Sequence, residues 1–309
     1  MQTDPTVGEG GEAMGYTEST ISLSRLFSSA VFREMARKGQ AVAAAAVLKE
    51  SGFVSDLDAS APLKTVFDAA FQVLKKRGQR HEYIYKNAII RKVLLGKHSL
   101  RTASVLSEFR VGTSKADLVI LNSTATVYEI KSERDSLDRL SGQLRDYRRV
   151  FAKINVITDE SHLKPVLDRT PPETGVLVLD GRGCIRTVRE SKETFDDIDP
   201  ETVLDALTVR EAQSILRAAK QEVPNVPNTL MRTRLRDLFL DLEPEFLHRE
   251  MAKALKVSRS QARIADYVEA VPDALKAMAL SIALPKKNRL RLLSALEDPI
   301  LPESRGAAN

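Results

Sequence analysis

Short apolar runs with the period of a β-strand occupy the middle of this chain, and apolar positions three and four residues apart occupy both ends. Before residue 78 the helical spacing predicts three helices, and after residue 199 it predicts a wholly helical region. Helical spacing also predicts helices at 82–95 and 136–151. The strand-like runs lie at 103–111, 116–121, 125–131, 153–158, 175–179 and 185–188.

Strands that surround one helix, with more helices before and after them, indicate an α/β protein with a mixed sheet flanked by helices. A chain of 309 residues is long enough for one large or two ordinary domains. The first residues are rich in Gly, Thr and Glu without periodicity, which is typical of a flexible tail. The predicted segments are a tail at 1–18, an N-terminal helical region at 19–78, a core at 79–195 and a helical domain at 199–309.

A predicted β-hairpin brings two carboxylates and a lysine to one edge of the sheet. Successive side chains of a strand point to opposite faces, so Glu129 and Lys131 share one face, while Tyr128 and Ile130 are predicted to face the core. Asp117 lies on the preceding strand. Carboxylate oxygens are hard ligands that suit Mg²⁺, and a lysine beside them can orient a water or stabilise developing charge.

The pattern of these residues resembles a known nuclease motif. Asp117, followed by Glu129 and Lys131 two positions apart, resembles the PD-(D/E)xK motif. Downstream, Gln143 and Tyr147 match the QxxxY signature of the RecB-like branch, one turn apart on the predicted helix. The same helix without the hairpin motif would make Tyr147 a core residue and Gln143 a surface residue.

The resemblance covers roughly residues 80–180. More narrowly, the run from Tyr85 through YEIKSE to Gln143 is similar to a little-characterised bacterial and prophage family of that superfamily. Ala116 stands where the name-giving proline often lies. That proline is not a metal ligand, so its replacement leaves the set of expected ligands unchanged.

The resemblance implies a restriction-endonuclease-like fold and a metal-dependent nuclease. Mg²⁺ or Mn²⁺ would be held by Asp117, Glu129 and the backbone carbonyl of Ile130. Lys131 would position the attacking water. The residues expected to support the substrate are Gln143 and Tyr147.

Two further carboxylates are candidates for metal ligands. In many nucleases of this superfamily a helix before the core strands supplies an acidic ligand, and Glu82 is the acidic residue of the helix predicted there. In the first turn of that helix, Glu82 could equally complement the helix dipole. Glu108 shares a strand face with Arg110, so it is either an additional ligand or a partner in a cross-strand ion pair.

Positive charge is concentrated on the strand region. Residues 80–153 contain 15 Lys and Arg against 8 Asp and Glu, whereas the chain from 201 onward contains 17 against 15. A phosphate backbone would dock where positive charge is in excess, although a lysine-rich solvated surface would give the same counts. The basic residues predicted to contact nucleic acid here are Lys86, Arg91, Arg145, Arg148 and Arg149.

Within the helical region, residues 250–263 resemble a helix-turn-helix. Ser258 is placed to cap a second helix predicted at 259–270. Lys256 stands where the motif usually has a turn glycine, so a plain helical hairpin is the alternative. The residues that would face nucleic acid are Arg259, Gln261 and Arg263.

Composition and motif content limit the expected cellular compartment and the kinds of site that this chain can form. The single Cys184 excludes an internal disulfide and any cysteine-based metal centre, and it suits a reducing cytoplasm. We expect no membrane span and no signal peptide, because no apolar run is long enough to cross a bilayer and the start lacks a basic-then-apolar pattern. No phosphate-binding GxxxxGK[ST] motif occurs, so ATP hydrolysis by this chain is not supported.

These observations predict a cytoplasmic, Mg²⁺- or Mn²⁺-dependent hydrolase of phosphodiester bonds, with DNA favoured by the resemblance. The main alternative is a non-catalytic DNA-binding or adaptor protein that keeps the nuclease fold and uses the helix-turn-helix. A defence or toxin component acting on RNA would share the same site. Proteins of this kind often occur in mobile elements and phage-defence loci, and a homodimer or a partner protein is open.

Overall fold

The computed structural model describes residues 18–53, 60–76, 78 and 80–299. The predicted tail at 1–18 therefore lies outside the described residues, except for residue 18. Contacts within the chain define two compact units, one of Met1–Ile84 with Tyr267–Asn309 and the other of Tyr85–Asp266. This division differs from the predicted segments, because helices from both ends of the chain form one unit and the helices between 200 and 258 join the sheet.

Thirteen α-helices have defined bounds, and residues 18–24 are helical as well. The thirteen are α1 (Ser29–Lys38), α2 (Val42–Glu50), α3 (Leu63–Leu74), α4 (Glu82–Ile89), α5 (Leu140–Arg148), α6 (Leu163–Arg169), α7 (Pro200–Ala206), α8 (Val209–Ala218), α9 (Asn228–Leu240), α10 (Pro244–Ser258), α11 (Ala265–Ala270), α12 (Lys276–Ser281) and α13 (Lys286–Glu297). A π-helical turn, Ile90–Leu94, continues α4. Among these residues every helix is too short or too polar to cross a bilayer.

Aromatic residues organise the core of the first unit. The ring of Phe27 packs edge-on against Phe67 and Phe71, with ring centroids 5.7 and 5.8 Å apart, and stacks on Tyr83 at 5.1 Å. The Tyr83 hydroxyl donates a hydrogen bond of 2.6 Å to the carbonyl of Ala274. Burial raises the pKa of this hydroxyl, which therefore remains a donor. Phe27, near the start of the predicted N-terminal helical region, is thus part of a packing surface.

The second unit contains one six-stranded mixed sheet. Its strands are β1 (Ser104–Val111), β2 (Ser114–Leu121), β3 (Ala125–Lys131), β4 (Lys153–Thr158), β5 (Gly175–Leu179) and β6 (Ile185–Arg189). They lie side by side in chain order. The pairs β3–β4 and β4–β5 are parallel, and the other three pairs are antiparallel. The prediction of a mixed α/β sheet flanked by helices is confirmed.

Strand β3 is buried on both faces. Tyr128 and Ile130 are buried, as predicted, and the face of Glu129 and Lys131 is buried as well, because all seven residues of this strand are buried. Val127, on the face of Glu129, packs in one hydrophobic core with Leu144 of α5 and Leu255 of α10. The reason is the parallel pairing of β3 with β4, since strands inside such sheets are covered by helices on both sides.

Two predicted helices are interrupted for local reasons. The predicted helical region at 199–309 begins with two separate helices, α7 and α8, because Thr208 and Glu211 form a capping box that starts α8. The helix predicted at 136–151 is shortened to α5. Before α5, the Ser136 hydroxyl donates to Asp138 at 2.6 Å and accepts from the Asp138 amide at 3.1 Å, which gives the chain a local turn instead of helix.

A fully buried histidine connects α10 to the β2–β3 loop and to the loop after α5. The Nδ1 of His248 lies 3.1 Å from the Val150 carbonyl, and its Nε2 lies 3.1 Å from the Thr124 hydroxyl. Burial lowers the pKa of His248 below its usual value, and this effect outweighs the opposing hydrogen bond to Val150. The folded protein therefore favours neutral His248.

This histidine is expected to make stability depend on pH. The unfolded chain takes up a proton near the usual pKa of about 6.5, whereas folded His248 does so only at lower pH. The free energy of unfolding should thus fall as the pH drops below that value, by at most about 1.4 kcal/mol per pH unit for one proton. Urea unfolding of the wild type and His248→Gln at several pH values measures this dependence. The same change of the free energy of unfolding with pH in both proteins would contradict the prediction.

Candidate active site

The candidate active site forms where the end of β3 meets α5, within the unit of residues 85–266. Glu129 is 1% exposed and Lys131 is also buried. The Nζ of Lys131 lies 2.8 Å from Oε1 of Glu129, so the two residues form a buried ion pair. Because they are two positions apart on one strand, the shared face predicted from the sequence brings them into contact.

Gln143 of α5 completes a three-membered ring of contacts. Its Nε2 donates to Oε1 of Glu129 at 2.6 Å, and its Oε1 accepts from Nζ of Lys131 at 2.8 Å. The amide group of Gln143 thus forms hydrogen bonds with both the carboxylate of Glu129 and the ammonium group of Lys131. Such a geometry fixes the orientation of both side chains in a site with little water.

Tyr147, one turn further along α5, holds the other carboxylate oxygen. Its hydroxyl donates to Oε2 of Glu129 at 2.7 Å and also lies 3.0 Å from the Lys115 carbonyl. Burial, and then the charge and hydrogen bond of Glu129, raise the pKa of the Tyr147 hydroxyl well above its usual range. The hydroxyl therefore remains a donor, and Glu129 is held by three different side chains.

Asp117 lies across from this network on β2. Its Oδ2 accepts a hydrogen bond of 2.7 Å from the backbone amide of Ile130. The paired residues Leu118 and Tyr128 are adjacent to this position in the β2–β3 ladder. The aspartate thus binds the backbone of the residue between Glu129 and Lys131, and the hairpin brings together all three residues of the motif.

Glu108 is next to Asp117 and has an unusual backbone conformation. Its φ is 57°, although it lies within β1. This left-handed conformation costs a non-glycine residue roughly 1–2 kcal/mol, and such strain is found at functional sites. Carboxylate oxygens of Glu108 and Asp117 lie within 4.8 Å of each other.

Two lysines neutralise Glu108. The Nζ of Lys115 lies 2.6 Å and that of Lys86 3.2 Å from its carboxylate. Burial alone would raise the pKa of Glu108, but the hydrogen bonds and charges of Lys115 and Lys86 leave it below its usual value. The predicted ion-pair alternative is therefore present, with these lysines as partners, and a role as metal ligand remains a prediction.

The helix before the strands carries the other candidates. Glu82 is in the first turn of α4, as predicted, and belongs to the first unit. Its role as a metal ligand remains a prediction. Lys86 of the same helix donates a hydrogen bond of 3.2 Å to Glu108, and its contact with nucleic acid remains a prediction. Arg91 lies in the π-helical turn that continues α4.

Three arginines in and directly after α5 differ in their surroundings. Arg145 is exposed and lines a groove of about 680 Å³ together with Asp117 and Gln143. Arg148 and Arg149 instead form ion pairs, with Glu173 at 3.1 Å and Asp199 at 2.8 Å respectively. Among the three, Arg145 is the one that lies beside the candidate active site without an ion-pair partner in the described part of the chain.

The helix-turn-helix prediction does not fit the structure. In place of one helix at 259–270, a 3₁₀ turn at Ala262–Ile264 precedes the short α11. Arg259 makes two hydrogen bonds, of 2.9 and 3.0 Å, to the carboxylate of Glu211, and Ser258 donates to the same carboxylate at 2.6 Å. Ser258 therefore ends α10 and does not cap a recognition helix.

Arg259 and Gln261 make further contacts with other parts of the same chain. Gln261 accepts a hydrogen bond of 2.9 Å from the Val105 amide, and the Arg259 guanidinium lies 5.3 Å from the centre of the Phe109 ring. Burial would raise the pKa of Glu211, but Arg259, Ser258 and the Thr208 amide lower it to about 2. Of the three predicted contact residues, Arg263 is exposed.

Thr158 and Lys115 contact the candidate active site, although neither was predicted from the sequence. The Thr158 hydroxyl donates to the Lys131 carbonyl at 2.8 Å, which fixes the end of β3. Thr158 lies opposite Lys131 because β3 and β4 pair in parallel. No local pattern indicates that register. Lys115 immediately precedes the motif in the sequence, and this position is the signal that could have identified it.

The second unit is thus a mixed α/β fold with a buried acid–lysine pair at the end of a central strand. The chain belongs to the family of bacteriophage P4 protein cII, whose family model matches residues 75–270. These residues include every member of the Glu129 network.

Two further comparisons are more limited. Over 86 residues the chain is 34% identical to protein cII of Enterobacteria phage P4, a stretch of 27% of this chain and 33% of that protein. The chain therefore spans about a third of the length of this relative. A solved structure of a protein of unknown function from Silicibacter pomeroyi matches 45% of this chain and 75% of that one, with 18% identity and a TM-score of 0.26. A superposition this loose does not define a common fold.

Proposed function

We propose that this chain is a metal-dependent nuclease with a restriction-endonuclease-like core, and that DNA is its substrate. The observation that carries the proposal is the network of Glu129, Lys131, Gln143 and Tyr147. These residues come from two separate elements, and Asp117 contacts the same strand. A structural ion pair does not require a second carboxylate at this position.

The donor atoms suit a hard divalent cation. Oxygens of Asp117 and Glu108 lie close enough to contact one ion, and β3 supplies Glu129 and the carbonyl of Ile130. We expect Mg²⁺ or Mn²⁺ to be held by Asp117, Glu129 and this carbonyl, with Glu108 as a further candidate. When bound, such an ion lowers the pKa of a water ligand and neutralises charge on the phosphate.

The protein side chains have distinct roles in this proposal. Lys131 holds the attacking water and stabilises negative charge that develops on the phosphate. Gln143 keeps Lys131 and Glu129 in register through its two amide contacts. Tyr147, which stays protonated, fixes the orientation of the Glu129 carboxylate. Arg145 lies in the groove where the substrate backbone would pass.

One observation favours a second candidate function. Glu129 is 1% exposed, and both of its oxygens already accept hydrogen bonds from side chains of the protein. A carboxylate satisfied in this way could serve only the stability of the fold. The second candidate is therefore a nucleic-acid-binding or adaptor protein that retains the fold without catalysis.

Cleavage assays test the proposal directly. Purified wild type and Glu129→Ala are incubated with supercoiled plasmid, linear duplex DNA, single-stranded DNA and RNA, each with Mg²⁺, Mn²⁺ or a chelator. We expect wild type to cleave DNA only with metal and the variant to lose this activity. RNA cleavage in preference to DNA would identify the RNA-acting alternative with the same site.

Metal titration separates the enzyme from the adaptor. We expect calorimetry to detect Mn²⁺ binding by wild type and weaker binding by Asp117→Asn, an uncharged variant of nearly the same shape. Nucleic-acid binding without cleavage and without Mn²⁺ binding would reject the nuclease and support the adaptor. Cleavage that survives the chelator would contradict the metal-dependent mechanism.

A further inference from the structure

An arginine-lined pocket lies beside the candidate active site, in the unit of residues 85–266. Its volume is about 450 Å³. Helix α5 contributes Arg145 and Arg148, Arg149 follows it directly, and Arg169 is the last residue of α6. Asp197 is the acidic residue that lines it. The pocket is therefore strongly basic at its surface.

The four arginines are not equally neutralised. Arg148 contacts Glu173 and, at 3.6 Å, Asp197, and Arg149 contacts Asp199. Arg145 and Arg169 are exposed and form no ion pair with any described residue. Two guanidinium groups from different helices thus line one pocket with their charge uncompensated, and their neighbours are held in place by carboxylates.

This arrangement suits a phosphate group. A guanidinium presents parallel N–H donors that match two oxygens of one phosphate, and Arg is favoured over Lys wherever such bidentate recognition is needed. Leu144 and Pro171 contribute apolar surface to the wall of the pocket.

The pocket is adjacent to the groove of the candidate active site. Ser141 and Arg145 line both the pocket and the groove that contains Asp117 and Gln143. A nucleic-acid strand lying in the groove would therefore carry a nearby phosphate to the arginines.

We propose that the pocket binds a phosphate group of the nucleic-acid substrate and that Arg145 and Arg169 are its ligands. The proposal rests on the proposed function, because it takes the adjacent groove as the path of the substrate. The phosphate comes either from the end of a strand or from within it. In both cases the pocket sets the distance between an anchored phosphate and the site of cleavage.

The test is binding without cleavage. Fluorescent single-stranded DNA that carries a 5′-phosphate, a 3′-phosphate or only hydroxyl ends is titrated in chelator with wild type, Arg169→Gln, Arg145→Gln and Lys131→Met. Arg217→Gln is the matched control, since Arg217 is an exposed arginine at the end of another helix, α8, and does not line the pocket.

We expect Arg169→Gln to weaken binding by about tenfold, which corresponds to one lost charge-assisted contact. The slope of the logarithm of the binding constant against the logarithm of the salt concentration should become shallower by the amount expected for one phosphate contact. Arg169→Lys should recover part of the affinity, because it keeps the charge without the bidentate geometry. Arg217→Gln should bind as wild type does.

The DNA ends identify the source of the phosphate. A loss confined to one phosphorylated end assigns a terminal phosphate, and an equal loss for all three DNAs assigns an internal one. Equal affinities of Arg169→Gln and Arg217→Gln, or no binding by wild type, would overturn the proposal. If binding depends on Arg169 but neither the wild type nor any variant cleaves DNA with metal, the proposed nuclease function is rejected and the proposed phosphate pocket is retained. Cleavage with Arg169-independent binding rejects the pocket alone.

Discussion

Replacing Lys131 by Met is expected to lower the rate of metal-dependent cleavage by about 10²–10⁴-fold. The Lys131 ammonium lies 2.8 Å from both Glu129 and Gln143, at the position where we propose that it holds the attacking water. Methionine keeps the length and the apolar stem of lysine, so the change removes chiefly the charge and its hydrogen bonds. Single-turnover cleavage at saturating metal measures the chemical step.

A matched lysine provides the control. Lys153 begins the neighbouring strand β4, is partly exposed and forms no ion pair with any residue that the structure describes. Lys153→Met should therefore cleave nearly as fast as wild type. A rate for Lys131→Met within about threefold of the control would remove Lys131 from the proposed mechanism, because even a modest acid–base role contributes more than this.

The same residues are expected to be strongly coupled in stability. Lys131→Met leaves the Glu129 carboxylate buried without its cation, and Glu129→Gln leaves a buried ammonium without its anion. Each single change should lower the free energy of unfolding by about 3–5 kcal/mol. The double variant should lose less than the sum of the single changes by about 1–3 kcal/mol, because neither charge is then left alone.

Urea unfolding of the four proteins gives this coupling energy. A second cycle with Glu129→Gln and Lys153→Met is the control, and these two changes should add, since Lys153 lies opposite Thr126, three residues before Glu129. Additivity in the Glu129–Lys131 cycle would mean that the pair does not interact in solution. The double variant also separates the two predictions, because it should be inactive yet more stable than the sum of its parts implies.

Local periodicity was enough to predict most elements. All six strands lie where alternating or continuous apolar runs predicted them, within two residues at each end. The shared face of Glu129 and Lys131 follows from the two-residue period of a strand. The contact of Gln143 and Tyr147 with one carboxylate follows from their spacing of one helical turn. These features depend only on backbone geometry over a few residues.

The helix-turn-helix prediction was wrong because one local sequence pattern is compatible with two different structures. Arg259 and Gln261 fit the spacing of a recognition helix, but their side chains contact Glu211 and the Val105 amide, which are far away in the sequence. A charged group near a compact core is stabilised by whichever partner the fold brings to it. The sequence around Arg259 does not indicate that partner.

The sequence by itself therefore determined the elements, the faces of the hairpin and the composition of the Glu129 network. The tertiary structure decided that both faces of β3 are buried, that Thr158 contacts Lys131 and that Arg169 lies in one pocket with Arg145. The physical reason is that side-chain direction is set by each residue's own backbone angles. Which strands and helices become neighbours is set by the free energy of burying the whole core, to which every element contributes.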